Sequence, residues 1–248
     1  MIRIVPFFFF LLLTSCSTVR ISEEQQASVN KIGLVVVGLD SITTVHTKPR
    51  ILGDGSNNSY KLPNPFFSKF IGKKVEERLK NLGYEVSNLS SEAFENYFFE
   101  KFARQSNQWS HEDLHSQLKT LFSKSNVDHV LIVGPERTAL LSGESGPNIM
   151  GIGVGSSSFM GLGSRSYFVS LKAEFLTREG QLVGRAFIDK VDGESFVSKE
   201  FADKIFSSLS EELKRKSFEY FKKQAAESYS LVDKLGIAQK RNITSSLH

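Results

Sequence analysis

The stretch Ile32-Gly33-Leu34-Val35-Val36-Val37-Gly38-Leu39 decides the fold. It is a continuous apolar run, rich in β-branched residues, and it places no polar side chain on either alternating face. Such a run is typical of a strand buried on both sides, which occurs mostly in sheets covered by helices. The sequence therefore predicts an α/β fold built on this strand.

The next element downstream is a helix between Asn64 and Gly83. Asn64 is a residue type favoured at the N-cap, and Pro65 is favoured at the first helical position. Gly83 is favoured directly after the C-terminal end of a helix. Between them an apolar stripe recurs at helical spacing: Phe67, Phe70, Ile71, Val75, Leu79 and Leu82. A short strand at residues 84–86 completes a β-α-β unit, which is right-handed in nearly all folds. The polar segment 41–61 is predicted to be a loop.

The second half of the chain predicts further elements of both kinds. Residues 91–103 and 110–125 have helical spacing, and residues 127–133 form a second buried strand. Residues 167–175 alternate apolar and polar, and a turn at 178–180 predicts a hairpin with residues 182–191. Ser198 is predicted to cap a closing helix.

The predicted domain organisation has one α/β domain. It covers residues 31–225 and holds a mixed β-sheet flanked by helices, a β-α-β start, a glycine-rich loop, a β-hairpin and a closing helix. Residues 226–248 are predicted to be a polar C-terminal tail.

The N-terminus has the sequence pattern of an export signal. After Arg3, residues 4–13 form an apolar run. This run is too short to span a bilayer, which takes ~20 residues. It ends in Leu13-Thr14-Ser15-Cys16. The pattern resembles the bacterial lipoprotein signal, in which a Leu-small-small-Cys box is cut before a cysteine that is then acylated, for example with palmitate. The resemblance implies a signal peptide at 1–15, lipidation of Cys16 and a tether over 16–30. In the Gram-negative sorting pattern that this sequence resembles, a residue other than Asp directly after the cysteine, here Ser17, implies the outer membrane, with the protein facing the periplasm.

The order of elements also resembles a family of envelope proteins. The opening strand, the helix ending Leu79-Lys80-Asn81-Leu82-Gly83-Tyr84-Glu85-Val86, and the segment 126–134 are similar to envelope lipoproteins related to the curli-secretion lipoprotein CsgG and the amino-terminal domain of TolB. The similarity runs from Lys31 to Lys223 and includes no catalytic signature. It implies a non-enzymatic role in envelope assembly or regulation.

Composition narrows the classes of function. Hydrophobic residues make up 40% of the chain and charged residues 23%, which is ordinary for a globular protein. The net charge of +4 is well below the basic charge expected of a nucleic-acid-binding protein. The 21 phenylalanines predict an aromatic core. With Cys16 lipidated, no other cysteine exists to form a disulfide. No cofactor is predicted.

One motif suggests an enzyme. His111-Glu112-Asp113-Leu114-His115 matches the H-E-x-x-H zinc pattern, in which two histidines one helical turn apart hold the metal and the glutamate activates water. Ser110 and Asp113 instead form a helix-capping pattern, and a third ligand such as Glu136 or Glu144 has no motif to support it. A zinc hydrolase using His111 and His115 is therefore the alternative function.

The favoured working surface is a glycine-rich loop at residues 146–163. It fails the dinucleotide and phosphate-loop patterns, and it is too short for a membrane-spanning hairpin. Its glycines alternate with apolar residues that suit partner binding: Ile149, Met150, Ile152, Val154, Phe159, Met160 and Leu162. The prediction is a lipid-anchored, non-catalytic assembly factor that binds an unidentified envelope protein; a small-molecule or glycan-binding module is a third possibility.

Overall fold

The computed structural model describes residues 18–47, 56–90, 119, 122–123, 125–139, 148–159, 162–196 and 206–240. The helices are α1 (Glu23–Ala27), α2 (Phe67–Asn81), α3 (Glu211–Ala225) and α4 (Ser230–Lys234), with 3-10 turns at Phe206–Ser208 and Ala226–Tyr229. The strands are β1 (Lys31–Val36), β2 (Ser41–Thr47), β3 (Ser56–Lys61), β4 (Glu85–Asn88), β5 (His129–Pro135), β6 (Arg137–Ala139), β7 (Asn148–Met150), β8 (Ile152–Phe159), β9 (Leu162–Thr177) and β10 (Leu182–Phe196).

Strand β9 organises the eight-stranded sheet. One of its edges pairs with β10, and the other pairs with β5 along residues 171–177 and with β8 along residues 162–169. Beside these two, β1 runs parallel to β5 and β2 runs parallel to β8. Strand β4 lies outside β1 and β3 outside β2, so the sheet has two halves joined through β9.

The two halves meet at Ser170. Its carbonyl accepts a hydrogen bond from the N–H of Glu136 at 3.0 Å, and its own N–H donates to the carbonyl of Gly151 at 2.7 Å. The N–H of Gly151 donates in turn to the carbonyl of Glu136 at 3.1 Å. Gly151 has a φ of +73°, a conformation that glycine adopts without steric cost. The small β6–β7 ribbon leaves the sheet at this junction.

Helices α2, α3 and α4 cover one face of the sheet. Alternate residues of the strands meet them in the main core: Ile32, Leu34 and Val36 from β1, Leu131 and Val133 from β5, and Val169, Leu171 and Phe175 from β9. The predicted aromatic core lies here, with the ring of Phe67 5.1 Å from that of Phe218 and 6.1 Å from that of Phe221. Two smaller apolar clusters, around Val35 and around Phe168, occupy the other face.

The predicted fold class is confirmed: the protein is an α/β domain with a mixed sheet flanked by helices. The buried first strand and the β9–β10 hairpin, with Gly180 at a φ of +80°, also agree with the prediction. The loop predicted at 41–61 is wrong, because residues 41–47 and 56–61 form β2 and β3. These two strands lie between β1 and α2, inside the predicted β-α-β unit.

Two helix starts differ from the prediction. Asn64 is exposed and does not cap α2, which begins at Phe67, while the carboxylate of Asp40 binds the first helical N–H groups. The closing helix α3 begins at Glu211 and is capped by Ser210, whose Oγ accepts from the N–H of Leu213. The cap predicted at Ser198 and the helix predicted at 91–103 lie outside the described residues. Residues 119, 122 and 123 are helical, as predicted for segment 110–125.

The predicted tether and tail are both parts of the domain where the structure describes them. Within residues 18–30, Ile21 and Val29 are buried and α1 carries a capping box at Ser22. Residues 226–240 form a 3-10 turn, α4 and a short extension, and their apolar side chains enter the main core: Leu231, Val232, Leu235 and Ile237. Among the described helices, none is long and apolar enough to cross a membrane.

Candidate functional site

The predicted glycine-rich loop is largely sheet. Residues 148–150 form β7 and residues 152–159 form β8, which pairs with both β2 and β9. Ile149, Ile152 and Val154 are 0–1% exposed, so they are core residues and cannot contact a partner. Met150 is half-buried. The alternating glycines serve packing: the carbonyl of Thr43 and the ring of Phe168 lie against the α-carbon of Gly153.

The remaining predicted site residues are less fully described. The backbones of Phe159 and Leu162 pair at the tip of the β8–β9 hairpin, but their side chains and Met160 lie outside the described residues. The same holds for Cys16 and for the zinc motif with His111, Glu112 and His115. Among the residues that are described, no group of three or more His, Cys, Asp or Glu side chains could hold a metal ion.

A row of polar side chains crosses three strands of the half of the sheet formed by β2, β8 and β9. His46, Ser156 and Arg165 occupy paired positions on these strands. The Nδ1 atom of His46 lies 2.9 Å from the Oγ of Ser156, and Nη1 of Arg165 donates to the hydroxyl of Tyr167 at 3.2 Å. All four side chains are buried.

This row is better suited to holding strands together than to catalysis. A serine beside a histidine is the start of a nucleophilic arrangement, but the nucleophile must reach its substrate. His46 is 2% exposed and Ser156 3%, so both lie in the interior. Sequence reasoning missed the row because β2 was predicted to be a loop. The β-branched run Ile42-Thr43-Thr44-Val45 was the signal that could have revealed the strand.

A charged cluster occupies the other half of the sheet. Oε1 of Glu174 accepts from Nε of Arg185 at 3.0 Å and lies 2.9 Å from Nη2 of the same guanidinium. Nζ of Lys172 lies 3.6 Å from the same oxygen and 3.5 Å from Oε2 of Glu136. Two cations and two carboxylates therefore balance one another, and the Glu174 side chain is only 5% exposed. The cluster serves to bind β9 to β10 and to Glu136.

The chain enters the domain beside the start of β10. Val19 forms an antiparallel bridge with Arg185, in which each N–H donates to the other's carbonyl at 2.8 and 2.9 Å. Two residues later, the N–H of Ile21 donates to the carbonyl of Leu235 at 2.9 Å. These bonds attach the segment after Cys16 firmly to the fold.

Among the described strands, β10 lies at an edge of the sheet, as β3 and β4 do, and part of its outer edge is accessible. Val19 covers this edge at Arg185, and Nζ of Lys234 donates to the carbonyl of Phe187 at 2.7 Å. Farther along, Lys190, Val191, Asp192 and Gly193 are exposed. Val191, at 44% exposure, is one of the few large apolar side chains that are exposed among the described residues.

Two charged side chains at this edge lie near α3. Lys190 forms an ion pair with Glu227 at 3.2 Å, with both side chains 45% exposed. Burial, together with smaller contributions from the nearby carboxylates of Asp192 and Glu227, raises the pKa of the Tyr220 hydroxyl to about 12. Tyr220 therefore stays neutral at physiological pH, and its ring packs 5.3 Å from that of Tyr167.

In the part of the chain that the structure describes, these features define an α/β domain with a buried polar row and a partly buried charged cluster, and with an accessible chain entry point and an accessible stretch of the β10 edge. No protein-family model and no curated protein sequence matches the chain. Solved structures overlap with it in part. A PelC dodecamer from Paraburkholderia phytofirmans is 12% identical, covers 87% of this chain and 91% of its own, and has a TM-score of 0.37.

Two further structures overlap to a similar degree. Protein XCC0632 from Xanthomonas campestris, of family model DUF330, is 12% identical over 84% of this chain and 86% of its own, with a TM-score of 0.36. Lipoprotein GNA1162 from Neisseria meningitidis is 12% identical over 64% of this chain and 80% of its own, with a TM-score of 0.28. Overlaps of this size leave the function to be argued from the chain's own residues, and the resemblance to CsgG and TolB stays a prediction.

Proposed function

We propose that this protein is a lipid-anchored protein of the bacterial envelope that acts through contacts with other proteins and not through catalysis. The observation that carries the proposal is the distance along the chain between Cys16 and the fold. Val19, three residues after Cys16, is already bonded to Arg185. Three extended residues span about 10 Å at most.

A lipid at Cys16 would therefore hold the domain against the membrane. Acyl chains contribute about 0.8 kcal/mol per buried methylene, so a multiply acylated cysteine would bind the bilayer with negligible release. The short connection from Cys16 would hold the start of β10 and the end of α4 close to the lipid headgroups. Val19 is hydrogen-bonded to the first of these elements and Ile21 to the second. Such a placement suits a protein that meets its partners at one membrane surface.

The non-catalytic part of the proposal is supported by the use of the polar side chains. His46 and Ser156 bond to each other in the interior, and Glu174 is held by Arg185 and Lys172. These groups stabilise the sheet. The zinc motif at His111 and His115 is the competing assignment, and it predicts stoichiometric zinc in the purified protein.

Mass analysis of the mature protein tests the anchor. We expect an N-terminal fragment that begins at Cys16 and carries acyl chains, and we expect Cys16→Ala to abolish incorporation of labelled palmitate. Ser17→Asp is the matched control, since it should leave acylation intact and change only the membrane in which the protein is found. An unmodified Cys16 in the mature protein would refute the anchor. Zinc bound at one ion per chain, together with a hydrolase activity, both lost in His115→Ala, would refute the non-catalytic assignment.

A further inference from the structure

We propose that the outer edge of β10 pairs with the same edge of a second copy of this chain, in antiparallel orientation and centred on Val191. The inference names a partner for the contact role proposed above and rests on that role, but it does not depend on the lipid anchor. It follows from the direction of the backbone groups, from the charges at the edge and from the exposure of Val191.

The direction of the backbone groups is set by Arg185. Its N–H and C=O bond to Val19, on the side of β10 that faces away from β9. The carbonyl of Phe187 points the same way, because it accepts from Lys234. In a strand the backbone groups of alternate residues point to the same side. Val191 and Gly193 therefore direct their N–H and C=O groups outward, where another strand can bond to them.

The charges select one register. When two β10 strands pair antiparallel about Val191, the two Val191 residues face each other as a hydrogen-bonded pair, and Lys190 of each copy faces Asp192 of the other. The Lys190–Asp192 positions are then non-hydrogen-bonded pairs, in which side chains approach most closely. Two opposite-charge contacts form, one on each side of the symmetry axis.

Neighbouring registers are unfavourable for the same reason. A centre at Lys190 brings the two lysines together, and a centre at Asp192 brings the two aspartates together. A centre at Gly193 places Asp192 opposite Glu194. The sequence Lys190-Val191-Asp192 is thus complementary to its own antiparallel copy, which is the requirement for a contact with twofold symmetry.

Among the described residues, the side chain of Lys234 at Phe187 and the segment at Val19 mark the limit of the stretch of this edge that the partner strand would use. In the chosen register Phe187 of one copy lies opposite residue 195 of the other. The second copy's strand therefore ends beside Phe187, because β10 ends at Phe196. The bridge between Val19 and Arg185 begins just beyond that point. Pairing would cover Val191 and would add Asp192 of the second copy to the exposed ion pair of Lys190 with Glu227. Charged residues on an unpaired edge usually prevent such pairing, so complementary spacing decides the outcome.

A cysteine placed at the centre tests the register. In the full chain, in membranes or in detergent, Val191→Cys should form a disulfide-linked dimer on mild oxidation, because facing Cα atoms in a hydrogen-bonded pair lie about 5.5 Å apart. Gly193→Cys is the matched control, since Gly193 is also exposed and its two copies would lie ~14 Å apart. Wild-type chain, oxidised in parallel, reports any bridge through Cys16.

A charge exchange tests the contact itself. Lys190→Glu and Asp192→Lys should each weaken the dimer in sedimentation experiments by roughly tenfold or more, since each creates two like-charge contacts. The double variant Lys190→Glu/Asp192→Lys should restore it, which a folding defect could not explain. The proposal is overturned if wild type is monomeric, if Gly193→Cys links as well as Val191→Cys, if the double variant stays monomeric, or if the linked product contains a different protein. An unacylated Cys16 would leave these results unchanged and would refute only the anchor.

Discussion

Oδ1 of Asp40 accepts a hydrogen bond from the backbone N–H of Phe67 at 2.7 Å. The same oxygen accepts from the N–H of Ser68 at 3.3 Å. These are the first N–H groups of α2, which have no partner within the helix. The residue just before α2, Phe66, provides no side-chain bond. A carboxylate 27 residues away in sequence therefore caps the helix and ties its start to the connection between β1 and β2.

We expect Asp40→Ala to lower the free energy of unfolding by about 1–2 kcal/mol, the usual cost of losing a helix cap. The negative charge at the helix N-terminus is lost together with the hydrogen bonds. Asn64→Ala is the matched control and should change stability by less than ~0.5 kcal/mol, because Asn64 is exposed. Urea unfolding of both variants decides between the structural cap and the cap predicted from sequence.

The cap illustrates what local sequence can and cannot predict. The stripe from Phe67 to Leu79 predicts the helix, because its spacing is set by the helix itself. Asn64-Pro65 matches the local sequence pattern for a helix start. The first N–H groups of α2 are instead bonded by Asp40, which lies between β1 and β2. A contact between distant segments leaves no spacing signal, so only the three-dimensional fold reveals it.

The errors in the strands have two physical causes. β3, Ser56–Lys61, is an edge strand with polar side chains on both faces, so it lacks the alternation by which a strand is recognised. In β8 the glycines suggested flexibility, whereas Gly153 is required because its neighbours leave no room for a side chain. The edge of β10 could not be found from sequence, because its accessibility depends on which strand becomes outermost.

Gly153 provides the second test. A β-carbon at this position would overlap the carbonyl oxygen of Thr43 and the ring of Phe168, so we expect Gly153→Ala to destabilise the fold by about 1–3 kcal/mol or more. Gly193→Ala is the control, since its β-carbon would lie 3.5 Å from the nearest atoms, at ordinary contact distance. If thermal unfolding gave equal midpoints for the two variants, β8 would not pack against β2 and β9 as described.

The ion pair of Glu174 with Arg185 gives a third prediction. Removing the buried carboxylate of Glu174 takes away the ion pair of Arg185 and leaves Lys172 with Glu136 as its carboxylate partner. Breaking a buried ion pair by removing one partner typically costs about 3–5 kcal/mol. Because the Arg185 side chain is 38% exposed and can reach water, we expect Glu174→Ala to cost toward the lower end of that range. Glu219→Ala is the comparison: it breaks an exposed pair with Arg215, both more than 60% exposed, and should cost less than ~1 kcal/mol. If Glu174→Ala and Glu219→Ala lowered the free energy of unfolding equally in urea, the burial assigned to Glu174 would be wrong.

His129 makes stability depend on pH. Its ring is buried and stacks on Phe175 with centroids 5.1 Å apart, and Nδ1 has no partner among the described residues. Burial lowers the pKa of His129 below 6.5, although the carboxylates of Asp128 and Glu179 partly oppose this shift. Between the lowered pKa and 6.5 the unfolded chain binds more protons than the folded one, so stability falls as pH decreases through this window and is fully present above it.

We therefore expect the Tm of the wild type to fall more steeply from pH 7.5 to pH 5 than that of His129→Phe. Phenylalanine keeps an aromatic ring against Phe175 but cannot take up a proton. The comparison therefore separates the titration of His129 from that of the carboxylates and the other histidines. Scanning calorimetry across the range measures the difference directly. Curves that stay parallel would show that His129 is protonated as readily in the fold as in the unfolded chain, and would remove the assigned effect of burial.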